Sequence, residues 1–147
     1  MKNSLLYFLL LPLLFICGCS VNKSADATPA DIPVGTFTGH FEIIHNKSST
    51  IDSASATITL DMEAATGFKI TGDTSSVHEA SYGGFIVYAT NSTIYFQDHD
   101  TYQAAGAPAK VHLNGLYNYT YNGSLLEIGY VSSPDTLILK YNLKKTN

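Results

Sequence analysis

VHLNGLYNYTYNGSLLEIGYV, residues 111–131, decides the fold. Val111, Leu113, Tyr117, Tyr119 and Tyr121 fall at even spacing, with Asn118 and Thr120 between the tyrosines. Leu126, Ile128 and Tyr130 repeat the pattern after Asn122-Gly123. Side chains that alternate apolar and polar belong to a strand with one buried face, because successive residues of a strand point to opposite sides. Asn-Gly between two such runs predicts a tight hairpin, of the type I′ kind that places both central residues at positive φ.

The same period extends in both directions. Upstream, Phe37, Gly39, Phe41 and Ile43 alternate with Thr36, Thr38, His40 and Glu42. Ala54, Ala56, Ile58, Leu60 and Met62 alternate with Ser55, Thr57, Thr59 and Asp61. Phe68 and Ile70 form a third run; Phe85, Val87 and Ala89 a fourth; Ile94 and Phe96 a fifth. Downstream, Leu137, Leu139, Tyr141 and Leu143 form the last. Residues 74–82 and 98–108 are the only long connections, and a short helical turn is expected around Val77. Eight short strands with tight turns predict an all-β fold, a single eight-stranded up-and-down antiparallel barrel, with a β-sandwich as the alternative.

Composition limits the function. The chain has 147 residues and a formal charge of -4, and all eight of its basic residues are lysines. An acidic chain without arginine lacks the basic face that nucleic acid requires. One domain fits the length.

The N-terminal segment has another pattern. Lys2 precedes LLYFLLLPLLFIC, residues 5–17. That apolar run is shorter than the roughly 20 residues a spanning helix needs, and it contains Pro12. It reads as the apolar centre of a secretory signal. Ile16, Cys17, Gly18 and Cys19 resemble the lipobox of bacterial lipoproteins. The resemblance implies removal of residues 1–18, diacylglyceryl and fatty-acyl (palmitate-type) modification of Cys19, and attachment to a membrane through it. Ser20 in place of Asp then points to the outer membrane of a bacterial envelope. Two or more acyl chains give stable anchoring where one does not. Residues 20–33, SVNKSADATPADIP, show neither helical nor strand periodicity. With Cys19 they read as a flexible tether, residues 19–33, with a mean span of roughly 20 Å. Residues 34–147 make the barrel domain.

Within that domain, Gly35-Thr36-Phe37 is similar to the Gly-X-Trp signature of lipocalins, with Phe in the Trp position. Residues 112–128 and 135–145 resemble the strand and hairpin pattern of lipocalin-like lipoprotein domains. The resemblance implies a barrel that encloses a small ligand.

The residues agree on a candidate site. Gly39, Ala54, Ala56 and Ala89 on the inward face leave space, while Tyr117, Tyr119, Tyr121, Tyr130 and Tyr141 bring hydroxyls to an apolar interior. A barrel of this size either fills with side chains or holds one small ligand, and a buried tyrosine hydroxyl needs a partner. The leading expectation is therefore a non-enzymatic module that binds a small apolar or amphipathic ligand. The competing expectation is a protein-interaction or scaffold lipoprotein with a filled interior. It rests on Ile44, Ile86, Leu116, Leu125 and Ile138, which point outward and would mark a partner surface if they cluster.

Catalysis and metal binding have little to stand on. There is no Gly-X-Ser-X-Gly elbow and no P-loop. His78-Glu79 opens like HExxH, but Tyr82 occupies the place of the second histidine. Asp98-His99-Asp100 offers cation ligands without a second cluster, and reads as a solvated loop. No cofactor is expected.

Overall fold

The computed structural model describes residues 32–47, 50–100, 110–132 and 137–147. The signal, Cys19 and nearly all of the tether lie outside the described residues. Eight strands follow in order: β1 (Gly35–Lys47), β2 (Thr50–Glu63), β3 (Gly67–Gly72), β4 (Tyr82–Tyr88), β5 (Thr93–Asp98), β6 (Gly115–Tyr121), β7 (Leu125–Val131) and β8 (Leu137–Lys145). Each pairs antiparallel with the next, and β8 returns to β1, so the sheet is a closed up-and-down barrel. Closure removes the sheet edges that would otherwise template aggregation.

The alternation places one apolar set inside. Phe37, Phe41, Ile58, Leu60, Met62, Ile70, Ile94, Phe96, Leu126, Ile128, Tyr141 and Leu143 are buried. Their rings interlock: Phe41 lies 4.9 Å from Tyr141, and Phe68 lies 5.1 Å from Phe96 in an edge-to-face arrangement. Such pairs add to simple area burial because ring edges meet ring faces. The outward face shared by the first half of β1 and the second half of β2 is polar: Thr36, Thr38, His40 and Glu42 face Asp61, Thr59, Thr57 and Ser55. This patch is unlike the lipid-facing band of a membrane-spanning barrel, which is apolar.

The two ends differ. The near end holds the start of β1, the short turns after β2, β4 and β6, and the C-terminus. The far end holds the two long connections and the β1–β2 hairpin. That hairpin projects, since β2 finds its β3 partners only from Ile58 onward. Ala54 therefore sits at an inward phase yet is exposed. Ala89 is not in a strand at all; it opens a 3-10 turn, Ala89–Asn91.

Three local expectations need correction. The β6–β7 hairpin forms, but Asn122 is not at positive φ. Gly123 alone is, at 89°, and the Asn122 N–H reaches the Leu125 carbonyl at 3.2 Å. Glycine at the first of two central residues is the II′ pattern rather than I′. The Asn122 side chain then accepts hydrogen bonds from the Ser124 and Leu125 N–H groups at 3.1 and 2.8 Å, which fixes the turn from the strand side. Second, β6 begins at Gly115, not Val111. Gly115 has φ 106°, and that bend separates Val111–Asn114 from the strand. Third, no helical turn forms at Val77. Instead His78 bridges Val111 in parallel, the Val111 N–H donates to the Val77 carbonyl and the Glu79 N–H donates to the Val111 carbonyl, both at 2.9 Å.

Candidate functional site

The far end is closed by the described parts of those connections, residues 73–81 and 110–114. Leu113 and His78 are fully buried, with Val77 and Val111 packed on the core. Lys110 ties the segments from above: its Nζ lies 3.2 Å from Glu79 Oε2 and donates to the Thr74 carbonyl at 2.8 Å. The bond to Lys110 holds the Glu79 carboxyl below its usual range.

His78 plugs the barrel beneath this lid. Its Nδ1 is 2.7 Å from the Glu79 carbonyl, which can only accept, so Nδ1 carries the proton. Nε2 then accepts from the Tyr141 hydroxyl at 2.9 Å. Phe41 stands edge-on to the imidazole at 4.7 Å. Burial pushes the His78 pKa down to about 4, so the ring is neutral at physiological pH.

The five candidate tyrosines divide by depth. Tyr141 is fully buried and donates to His78. Tyr117 is buried and donates to the Asn114 carbonyl at 3.3 Å. Burial raises the Tyr117 phenol to about 12 and Tyr141 well above its ordinary value, so both remain protonated donors. Tyr121 is half-buried at the near end, with its hydroxyl on the Gly123 carbonyl at 2.9 Å. Tyr130 keeps the inward phase near the far rim of β7; it is partly open to solvent at 37%, with its ring 5.8 Å from that of buried Tyr117. Tyr119 is buried and its hydroxyl has no hydrogen-bond partner among the described residues. The space expected at Gly39 is also taken: a Cβ there would meet the Asn142 backbone oxygen of β8.

Two substitutions separate these roles. Tyr141→Phe leaves His78 Nε2 unpaired and should lower stability by about 1–3 kcal/mol. Tyr119→Phe removes an unsatisfied buried group and should be neutral or stabilising by up to about 1 kcal/mol. Urea unfolding of the two variants side by side checks the order; equal midpoints would contradict the assignment.

Asp98, expected in a loop, ends β5 with a buried side chain. Its Oδ1 accepts from the Tyr82 and Asp100 N–H groups at 3.3 and 3.0 Å, and its Oδ2 from His112 Nδ1 at 2.7 Å. A carboxylate orienting an imidazole is also how general bases are held. Here no hydroxyl or thiol among the described residues bonds the other nitrogen, and the pair fastens the lid segment to the barrel. His99 is exposed, and the described residues contain no cluster of three or more ligands suited to a metal ion.

The outer wall is where unsatisfied surface collects. Ile86 on β4 faces Tyr95 on β5, which faces Leu116 on β6. These three are 54%, 38% and 54% exposed, and Tyr88 lies two residues along β4. A second apolar stretch follows the register from Val131 to Ile138 to Ile44. Of the five outward residues read from the sequence, Leu125 alone stands apart, at the near end. Tyr95, at the centre of the first row, was hidden because it alternates with the inward Ile94 and Phe96 in a run short enough to read either way. Compared with known protein families, with curated proteins and with solved structures, the chain matches none of them.

Proposed function

We propose that this chain is a lipid-anchored bacterial envelope lipoprotein, lipocalin-like in architecture, that binds a protein partner with the outer wall of β4–β6 and catalyses no reaction. One observation carries the reading: the barrel interior is occupied by its own rings, while Ile86, Tyr95 and Leu116 form a contiguous exposed row by register. Single exposed apolar residues need no explanation, whereas contiguous ones mark contact surfaces. Tyrosine flanked by aliphatics is also the composition of interface centres. A lipid-facing belt would be about 25 Å tall; this row is bounded by Thr93, Gln97 and Asn118 and is far narrower. The partner therefore presents a small apolar centre with a polar rim.

A photoreactive residue at position 95 of the full chain in native membranes tests the reading. A discrete adduct is expected, reduced roughly tenfold or more by Ile86→Asp with Leu116→Asp, and absent when the probe is moved to Thr59. Cys19→Ser should move the chain from the membrane to the soluble fraction. An adduct that survives the double substitution, or none at position 95, overturns it.

One observation favours a second reading. The Tyr119 hydroxyl and the Ser81 hydroxyl are buried without partners among the described residues, which is what a small ligand in the barrel would relieve. A copurified molecule in native mass spectrometry, lost with Tyr119→Phe, would favour that reading instead.

A further inference from the structure

A different chemistry is assembled on the wall formed by β1–β4, away from the apolar row. Register places four outward residues in one line: Thr36 faces Asp61, Asp61 faces Lys69, and Lys69 faces Tyr82. The β2–β3 turn adds Glu63 and Thr66 beneath them. Asp61, Glu63, Thr66, Gly67, Lys69 and Tyr82 line a depression of about 460 Å³. A second depression of about 280 Å³ shares Thr66, Gly67 and Tyr82 and continues to Gly84 and His99. Tyr82 stands between the two, 54% exposed, with His99 edge-on to its ring at 5.9 Å.

We propose that these joined depressions are a carbohydrate-binding groove that seats a short glycan, with one sugar ring stacked on Tyr82. A pyranose offers a flat face of C–H groups and a rim of hydroxyls. It is recognised by an exposed aromatic plate surrounded by acceptors and donors, and the groove supplies both. Gly67 and Gly83 bring β3 and β4 close together at the groove: a Cβ on Gly67 would run into the Gly83 carbonyl oxygen. No side chain can rise there without forcing the strands apart. Asp61 Oδ1 accepts from Thr36 at 3.1 Å and Glu63 Oε2 accepts from Thr66 at 2.7 Å. The second oxygen of each carboxylate carries no protein hydrogen bond among the described residues, and Lys69 adds a donor beside them. Two carboxylates disfavour a phosphate or another anion, and Phe68 and Phe85 add apolar surface of the kind a sugar's C–H face meets. Hydroxyl-rich, uncharged sugars fit what remains. The two depressions flanking Tyr82 suit neighbouring units of one chain.

The test is an amide-shift titration of the full-length chain in detergent micelles with three probes: chitotetraose, cellotetraose and mannotetraose. At least one should shift signals confined to residues 61–69 and 82–84. For that probe Tyr82→Ala should weaken binding roughly tenfold or more, as loss of a stacking contact implies. Asp61→Asn, outside the core and neutral to the fold, should weaken it severalfold. Tyr88→Ala, an exposed tyrosine outside the groove, should bind as wild type. No shift with any of the three, shifts spread over the whole barrel, or undiminished binding by Asp61→Asn and Tyr82→Ala would overturn the proposal. Because Asp61→Asn and Tyr82→Ala leave the apolar row of β4–β6 untouched, the partner reading stands or falls separately.

Discussion

Adding a single methyl group at Gly39 should cost about 3 kcal/mol or more, because it meets backbone rather than a yielding side chain. Gly39 lies between Phe37 and Phe41 at an inward position of β1, opposite Leu143 of β8. A Cβ there would fall 2.1 Å from the Asn142 carbonyl oxygen and 2.9 Å from the Leu143 Cα. Strands in a small barrel must coil sharply, and a glycine lets one strand bend across its neighbour. An alanine would push β8 away from β1 at the seam that closes the barrel. For a domain of this size, such a loss lowers the melting temperature by roughly 10 °C or more. Gly129 is the matched control. It sits in β7, and a Cβ there meets nothing within 4 Å. Gly129→Ala should be neutral or stabilising by up to about 1 kcal/mol through the unfolded chain's lost freedom. Urea midpoints followed by far-UV circular dichroism compare the two. If Gly39→Ala unfolds within about 0.5 kcal/mol of Gly129→Ala, the close crossing of β1 and β8 is not real.

Gly39 also shows where sequence reasoning stops. Period two identifies its inward phase, but the inference from a small residue to open space fails, because a neighbouring backbone can occupy what a side chain leaves. The barrel itself was legible, since the alternation in β1, β2, β6, β7 and β8 is long and each break carries turn residues. The far-end lid was not. Val77, Val111 and Leu113 are apolar residues in otherwise polar connections, and that mismatch was the available signal. Read with period two, Val111 and Leu113 were absorbed into β6; the positive φ of Gly115 is what detaches them. His78 and Asp98 look like solvated loop residues because their partners, Tyr141 and His112, are 63 and 14 residues away along the chain. The outer row was legible as residues but not as a surface, since only strand register brings Ile86, Tyr95 and Leu116 side by side. The groove at Tyr82 depends on register across four strands and could not be read from any single run.

Acid should loosen the far end through His78. In the unfolded chain a histidine binds its proton near pH 6.5; in the barrel, burial holds His78 at about 4. Between those values the unfolded state binds more protons than the folded one, so stability falls as pH drops through this window. The loss is complete below pH 4, where both states are protonated, and absent above 6.5. A difference of this size corresponds to about 3 kcal/mol. The chemistry agrees with the sign. A protonated Nε2 cannot accept the Tyr141 hydrogen bond, and an imidazolium pressed against Phe41 is fully buried, with no carboxylate bonded to it among the described residues. The nearest ionisable groups are Glu79, Asp98 and His112. Glu79, held below its ordinary 4.5 by Lys110, adds its own loss only as pH falls further, so the two contributions separate along the pH axis. His78→Gln isolates the histidine: the amide can donate to the Glu79 carbonyl and accept from Tyr141 without titrating. Unfolding free energies measured at half-unit steps from pH 7.5 to 3.5 should decline by about 3 kcal/mol more in the wild type than in His78→Gln, with the divergence beginning near 6.5. Parallel curves would mean that His78 titrates as it does in water, and that the lid does not bury it. The same protonation should free residues 74–80 first: backbone bonds anchor Asp73 to Thr57 and Ser81 to Ile70, whereas the stretch between them depends on the parallel bridge to Val111, the packing of Val77 and the Lys110 contacts once Tyr141 lets go. Hydrogen exchange at the Glu79 and Val111 amides should then accelerate at pH 4.5, well before amides of β1 and β8 respond.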